Sequence, residues 1–254
     1  MAERTNSWVR RLREDLRRGG SRERAKGVQW FFKEEIRSHG WRTADLRRFA
    51  RKTSHEILKT DGLESLVRVA DRLFSGDVLE EKVFAVLLLE NSVAKFGERE
   101  FTLFESWLDR VSSWADHDGL VHYLIGPLVA ADHRRTARAL RWTKSKNRWC
   151  RRAAAVSLIR AARKKTFFPE IVRVSEALLA DQDDMVQKGL GWLLREAAKA
   201  DPKTTVSYLL RIRERAPRLV LRIACETLTP ATKSRVLSRM SSFASRGRAE
   251  DLTK

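Results

Sequence analysis

Only two cysteines, Cys150 and Cys225, occur in the 254-residue sequence, and neither stands in a CxxC pair. That is too few for a disulfide framework in a chain of this length and fits a reducing compartment. Histidine is scarce as well, with five in all, and none has metal-ligand spacing. His55-Glu56 is not followed by the second histidine of an HExxH motif, and His117 and His122 are an i,i+5 pair, so no structural or catalytic metal is expected. No apolar run approaches the ~18 residues that a bilayer span needs, and the opening MAERTNSWVRRLREDLRR has no apolar signal-peptide core. Acidic residues are in deficit: 33 Asp and Glu face 52 Lys and Arg, a formal charge of +19. Such a balance points to a polyanionic partner and, with no membrane segment, to a cytoplasmic, nucleoid-facing protein.

Glycine and proline are few, at 12 and 5, beside 43% hydrophobic residues, which is the composition of a folded, helix-rich chain. The length suits one large domain or one continuous repeat array. A single repeat domain over residues 1–245 is expected, with 246–254 as a flexible tail. Apolar periodicity predicts a succession of amphipathic helices of about 10 to 18 residues and no strands. Breaks are expected at Gly19-Gly20, His39-Gly40, Asp61-Gly62, Gly76-Asp77, Gly97, Gly126-Pro127, Pro169, Asp201-Pro202, Pro217 and Pro230.

Three helical segments look alike: EKVFAVLLLENSVAK from Glu81, CRRAAAVSLIRAARK from Cys150 and VQKGLGWLLREAAKA from Val186. Superposing them puts Lys82, Arg152 and Lys188 in register, implies a unit near 35 residues, and lands the missing copy beside Asp118. Two-helix units of this length are the signature of an α-solenoid. The fold expected is therefore all-α, a right-handed α-solenoid of about six HEAT-like helical pairs whose inner helices form a concave face. On that face Asp118, Arg152 and Lys188 should line up.

In the last segment Lys188, Trp192, Arg195 and Lys199 fall at i, i+4, i+7 and i+11, apart from an apolar stripe of Leu190, Leu193, Leu194 and Ala197. A tryptophan among cations suits a nucleic-acid contact, with charges for phosphate and a flat ring for sugar or base. A Trp at the core boundary beside a solvated basic face has the same spacing. Trp114 and Asp118 are i,i+4, so ring and carboxylate share a helical face. An acid in a basic groove repels phosphate and wants a chemical reason, such as a cationic substrate or transition state. From spacing alone, a helix cap or an arginine pair at Asp116 or Asp118 is the commoner outcome.

Trp114-x-x-x-Asp118, Arg148-Trp149-Cys150-Arg151-Arg152-Ala153-Ala154 and Val186-Gln187-Lys188-Gly189-Leu190-Gly191-Trp192-Leu193-Leu194-Arg195-Glu196 resemble successive motifs of the AlkD-type DNA glycosylase family. The likeness runs from about Ala25 to about Arg235, and His39-Gly40-Trp41-Arg42-Thr43 is similar to the family's N-terminal DNA-facing turn. The resemblance implies a HEAT-like solenoid that holds duplex DNA on its concave face. It also implies hydrolysis of the N-glycosidic bond of cationic N3- or N7-alkylated purines, without a base-flipping pocket and without metal or organic cofactor, and leaves open whether bulky adducts are among them. By the same resemblance, Asp118 would stabilise the developing sugar cation and position water, and Trp114 and Trp192 would pack on the deoxyribose backbone. Arg152 would hold a phosphate, with Arg148, Trp149, Lys188, Arg195, Lys199, Trp41, Arg42 and Thr43 completing the DNA-binding set of a monomer. By its place on the helix Asp116 faces elsewhere, and its change to Asn should have little effect on excision. The sequence departs from the family pattern at Ala115, at His117 beside the acid, and in the bulk of Trp41 and Arg42. A non-catalytic relative that binds branched or damaged DNA would keep the tryptophans and arginines but has no need of Asp118, and a HEAT-type scaffold for an acidic protein or RNA would need none of the set.

Overall fold

The protein is described by a computed structural model over residues 2–238, so the expected tail at 246–254 and the domain end at 245 lie outside the described residues. The helices, in chain order, are α1 (Ala2–Gly19), α2 (Arg22–Val28), α3 (Thr43–Phe74), α4 (Leu79–Leu89), α5 (Glu98–Trp107), α6 (Trp114–Leu120), α7 (Gly126–Ala131) and α8 (Thr136–Trp142). They continue as α9 (Arg148–Val156), α10 (Ile159–Arg163), α11 (Phe168–Leu178), α12 (Asp184–Ala200), α13 (Pro202–Ile212), α14 (Arg218–Ala224) and α15 (Pro230–Leu237). No strand occurs among the described residues, where the one β-type contact is an isolated bridge between Arg37 and Val78. The fold is all-α, as the periodicity implied.

Local chemistry sets most helix starts. Asn147 accepts from the Trp149 N–H ahead of α9, Asp183 from the Met185 and Val186 N–H groups ahead of α12, and Asp201 from Thr204 N–H at α13. Proline opens α11, α13 and α15, where its missing N–H costs nothing. The long α3 bends at Gly62, whose φ of 77° is open to glycine at little cost. Gly40, with φ 75°, could not carry a Cβ, which would come within 2.3 Å of Ser21 O.

Helices α4, α6, α9, α12 and α14 begin at residues 79, 114, 148, 184 and 218, intervals of 34 to 36 residues. Each packs on the next: α4 on α6, α6 on α9, α9 on α12 and α12 on α14. The nearest-neighbour stacking is that of a repeat array, with α5, α8, α11 and α13 as the second members of the pairs. Between the layers lies a core in which Phe74, Phe84, Phe101, Phe104, Trp107 and Tyr208 are fully buried.

Several expected features differ: helices such as α6 (7 residues), α7 (6) and α10 (5) are shorter than expected, because turns and 3-10 or π segments divide the periodic stretches, and α3, at 32 residues, is longer. Gly126-Pro127 is no break: the chain stays helical from α6 through a π turn, Val121–Ile125, directly into α7. The glycine serves packing, because a Cβ there would sit 3.0 Å from Val121 O and 3.3 Å from Ser157 O. Conversely, the look-alike segment from Cys150 is interrupted at Ser157-Leu158, so it forms α9 and α10 rather than one helix.

Candidate active site

The site begins with the entry to α6. Asp116 accepts from the backbone N–H of Ser112 (2.9 Å) and Ser113 (2.7 Å), and from both serine hydroxyls. The side chain of Asp116 is fully buried, and Lys82, itself buried, lies 3.5 Å away and donates to Ser112 Oγ at 3.1 Å. This buried knot sets where α6 starts and hence where Trp114, its first residue, stands. Asp116 is therefore a helix-capping acid, the commoner outcome expected from its spacing, and Lys82 lies in the core. Changing Asp116 to Asn should cost about 2–4 kcal/mol of stability, because it strands a buried ammonium and turns an acceptor-only group into a part donor. Thermal unfolding reads this, and an unchanged Tm would show the knot dispensable.

One turn on, Asp118 meets α9. Arg152 donates from Nε to Asp118 Oδ1 (3.0 Å) and from Nη2 to Oδ2 (2.8 Å), a bidentate pair. The third guanidinium nitrogen donates to Met185 O at the start of α12. His117 Nδ1 donates to Asp118 Oδ1 at 2.7 Å, since a carboxylate can only accept, and Nε2 lies 3.1 Å from Trp149 O. Burial pushes the Asp118 carboxyl up, but the His117 hydrogen bond and the Arg152 charge outweigh it and hold the group down at about 2. The carboxylate is thus ionised throughout the ordinary pH range. Burial likewise keeps the His117 imidazole below its usual value, against the opposing pull of Asp118.

Asp118 forms part of the wall of a cleft of about 560 Å³ together with Trp41, Thr43, Trp114, Tyr123 and Trp192. The side chain of Asp118 keeps 23% of its surface open, while that of Arg152 keeps 7%. Trp114 stacks on Phe32 with ring centres 5.0 Å apart, and Trp192 stacks on His122 at 5.7 Å. The π turn, which widens the helix by one residue, presents His122 and Tyr123 here. Arg47 lies 5.1 Å over the Tyr123 ring and donates to its hydroxyl at 2.9 Å.

The structure therefore brings Trp114, Asp118, Trp192, Trp41 and Thr43 together, as the sequence suggested, but changes several roles. Arg152 does not face phosphate: it is buried, and each of its three guanidinium nitrogens donates inside the protein, to Asp118 or to Met185 O. Trp149 is buried too, with His117 at 5.5 Å on one side and the Arg148 guanidinium 4.6 Å over its ring, so it offers no surface to DNA. Arg148 is paired with Glu34 and lies 3.7 Å from Asp183. Lys188 is paired with Asp184 at 3.0 Å, Arg195 with Glu226, and Lys199 with Glu196 at 3.4 Å. Trp41 lines the cleft with one edge while its indole N–H donates to Leu16 O at 2.7 Å, tying α1 to α3. Arg42 stays exposed at the cap position of α3.

Sequence reasoning passed over His117 as a supporting partner of the acid, and it passed over His122, Tyr123 and Arg160. Arg160 is exposed, has no ion-pair partner among the described residues, and is near enough to His122 to help lower that ring's pKa, behind burial and Arg163. His122 and Tyr123 line the cleft from the π turn, which shifts them from the register that a continuous α-helix would give. Among the described residues no group of three or more His, Cys, Asp or Glu is placed to hold a metal ion, and no helix is long and apolar enough to cross a membrane.

The model of the family described as DNA alkylation repair enzyme matches residues 12–228. The chain belongs to that family. Its fold is similar to that of a solved structure described as a predicted DNA alkylation repair enzyme from Enterococcus faecalis, with a TM-score of 0.72 at 19% identity, covering 83% of this chain and 97% of that one. It is also similar to smu.31 from Streptococcus mutans UA159, with a TM-score of 0.52 at 17% identity, covering 72% of this chain and 100% of the other. At such identities the likeness is one of fold. No curated protein matches the chain. As a member of the alkylation-repair family, the protein has DNA as its expected substrate, and the matched span includes every residue of the cleft wall named above.

Proposed function

We propose that this DNA alkylation repair family member is a DNA glycosylase that hydrolyses the N-glycosidic bond of N3- or N7-alkylated purines in duplex DNA. The observation that carries the reading is Asp118, an acid held ionised beside Trp114 and Trp192 in a largely apolar cleft of a strongly basic protein; the other acid of the wall, Glu80, is spent on the backbone N–H groups of His39, Gly40 and Trp41. Arg152 pairs with this charge from one side, and the part of the Asp118 carboxylate left open lines the cleft, where it can act on a second positive charge.

An alkylated purine is a cation and a ready leaving group. As the C1′–N bond breaks, its electron pair leaves with the base, which departs neutral, and positive charge passes to the sugar. Asp118 and the electron-rich faces of Trp114 and Trp192 favour that charge. A carboxylate has about four acceptor positions. Arg152 and His117 take two on Oδ1, and Arg152 takes one on Oδ2. The remaining Oδ2 position can hold the water that adds to C1′ and can take up the proton that water loses. The bidentate Arg152 pair fixes the carboxylate plane.

The test is release of free base from a duplex carrying N7-methylguanine or N3-methyladenine. Release of base supports the reading, whereas tight binding of branched or damaged DNA with no release would replace it with a non-catalytic role. Duplex affinity should also fall steeply with salt, since exposed cations displace condensed counterions. Arg160→Ala and Lys199→Ala should each lower the log–log salt slope by about 1, and an unchanged slope in both would count against this face.

A further inference from the structure

The segment between α2 and α3 presents two side chains that this chemistry leaves unused. Trp30 and Phe31 are 91% and 74% exposed, the most exposed of the large apolar side chains among the described residues. They occupy a short 3-10 turn, Gln29–Phe31. The turn is not loose. Phe31 O accepts from the Trp114 indole N–H at 3.2 Å, and Phe32 stacks on the Trp114 ring. Lys33 donates to Asp184 at 3.0 Å, and Glu34 pairs with Arg148. Gln29 closes the segment on itself, donating to Glu34 O at 2.8 Å and accepting from Ile36 N–H at 2.9 Å. These contacts bind one short stretch to the N-terminal ends of α6, α9 and α12, beside the cleft that contains Asp118. A rigid turn thus holds two neighbouring aromatic rings in solvent at the rim of the cleft.

The surroundings choose the occupant. The flanking sequence supplies Arg22, Arg24 and Lys26 against the exposed Glu23 and Glu35, with Lys33 paired to Asp184 and Arg42 exposed at the start of α3, in a chain of formal charge +19. Flat rings among cations suit stacked bases between phosphates, where base–aromatic stacking and cation–phosphate attraction act together. We propose that Trp30 and Phe31 form a wedge that enters the duplex lying against the cleft and stacks on the base pairs beside the nucleotide that faces Asp118. Opening that step lets the deoxyribose approach the carboxylate while the damaged base stays outside any pocket. The inference rests on the DNA-binding part of the proposed function and not on the chemistry.

The experiment uses the full chain and a duplex with 2-aminopurine next to an N7-methylguanine whose sugar carries a 2′-fluorine to resist hydrolysis. Wild type should raise the 2-aminopurine fluorescence. The double variant Trp30→Ala, Phe31→Ala, altered only at exposed positions, should bind about 10- to 100-fold more weakly and give no rise even at saturation. Trp30→Phe with Phe31 retained should restore most of both signals. Unchanged affinity and fluorescence in the double variant would overturn the wedge. So would a loss confined to self-association in sedimentation, which would make the turn a contact between copies of the chain. Base release from the ordinary N7-methylguanine duplex separates the two readings. Release without a fluorescence change that depends on Trp30 and Phe31 sinks the wedge alone, and a dependent change without release sinks the glycosylase alone.

Discussion

Changing Asp118 to Asn should slow release of N7- or N3-methylpurine from duplex DNA by about 30- to 1000-fold, if the lost charge contributes ~2–4 kcal/mol to the transition state. The variant keeps the shape of the side chain, and Asn Oδ1 still accepts one bond from Arg152, so the cleft should persist. It leaves the Arg152 guanidinium less well compensated, and the rate is therefore compared well below the variant's Tm. DNA affinity should stay level or rise, because a charge that repels phosphate is gone. That split, slower chemistry with undiminished binding, separates loss of the reacting charge from collapse of the fold. Equal excision rates in wild type and variant would remove the mechanism.

Arg152→Met should have the next largest effect. The substitution removes both bonds to Asp118 and the bond to Met185 O, and it leaves a largely enclosed carboxylate without its cation. Stability should fall by about 2–4 kcal/mol, below the loss seen when a wholly buried pair is broken because Asp118 is partly open. The acid limb of the excision rate should move as well. In wild type Asp118 is held at about 2, so its ionisation and the stability linked to it are complete above the ordinary carboxylate range and are lost only as pH falls toward that value. Without Arg152, burial is opposed by His117 alone, the folded pKa rises, and excision should decline at a higher pH than in wild type. Arg152→Lys restores a charge but not the two-pronged geometry and should recover only part of the rate. A variant with wild-type Tm and pH profile but a lower salt slope would return Arg152 to the phosphate role first expected of it.

The residues differ in how far sequence alone located them. Helix starts were legible because their causes lie within a few residues: Asn147, Asp183 and Asp201 cap the turn that follows, and prolines open α11, α13 and α15. The unit near 35 residues was legible because each inner helix must bury the same kind of stripe against its neighbour. Trp114 and Asp118 share a face by helical geometry alone. Depth and partnership were not legible. Periodicity told which face Arg152 occupies but not that α6 and α12 close over it, so a phosphate contact and a buried support for Asp118 looked the same. Repeat register placed Lys82 and local spacing made Asp116 a candidate cap, but only the folded entry to α6 brings the two together inside the protein. The partners of Arg148 and Arg195 come from the segment at Glu34, the cap residue Asp183 and the turn at Glu226 after α14, and no local rule pairs residues so distant. The sequence by itself determined the helices, their repeat and the acid among tryptophans. Packing between repeats decided which cations face solvent, because burial is a property of the assembled layers and not of any one helix.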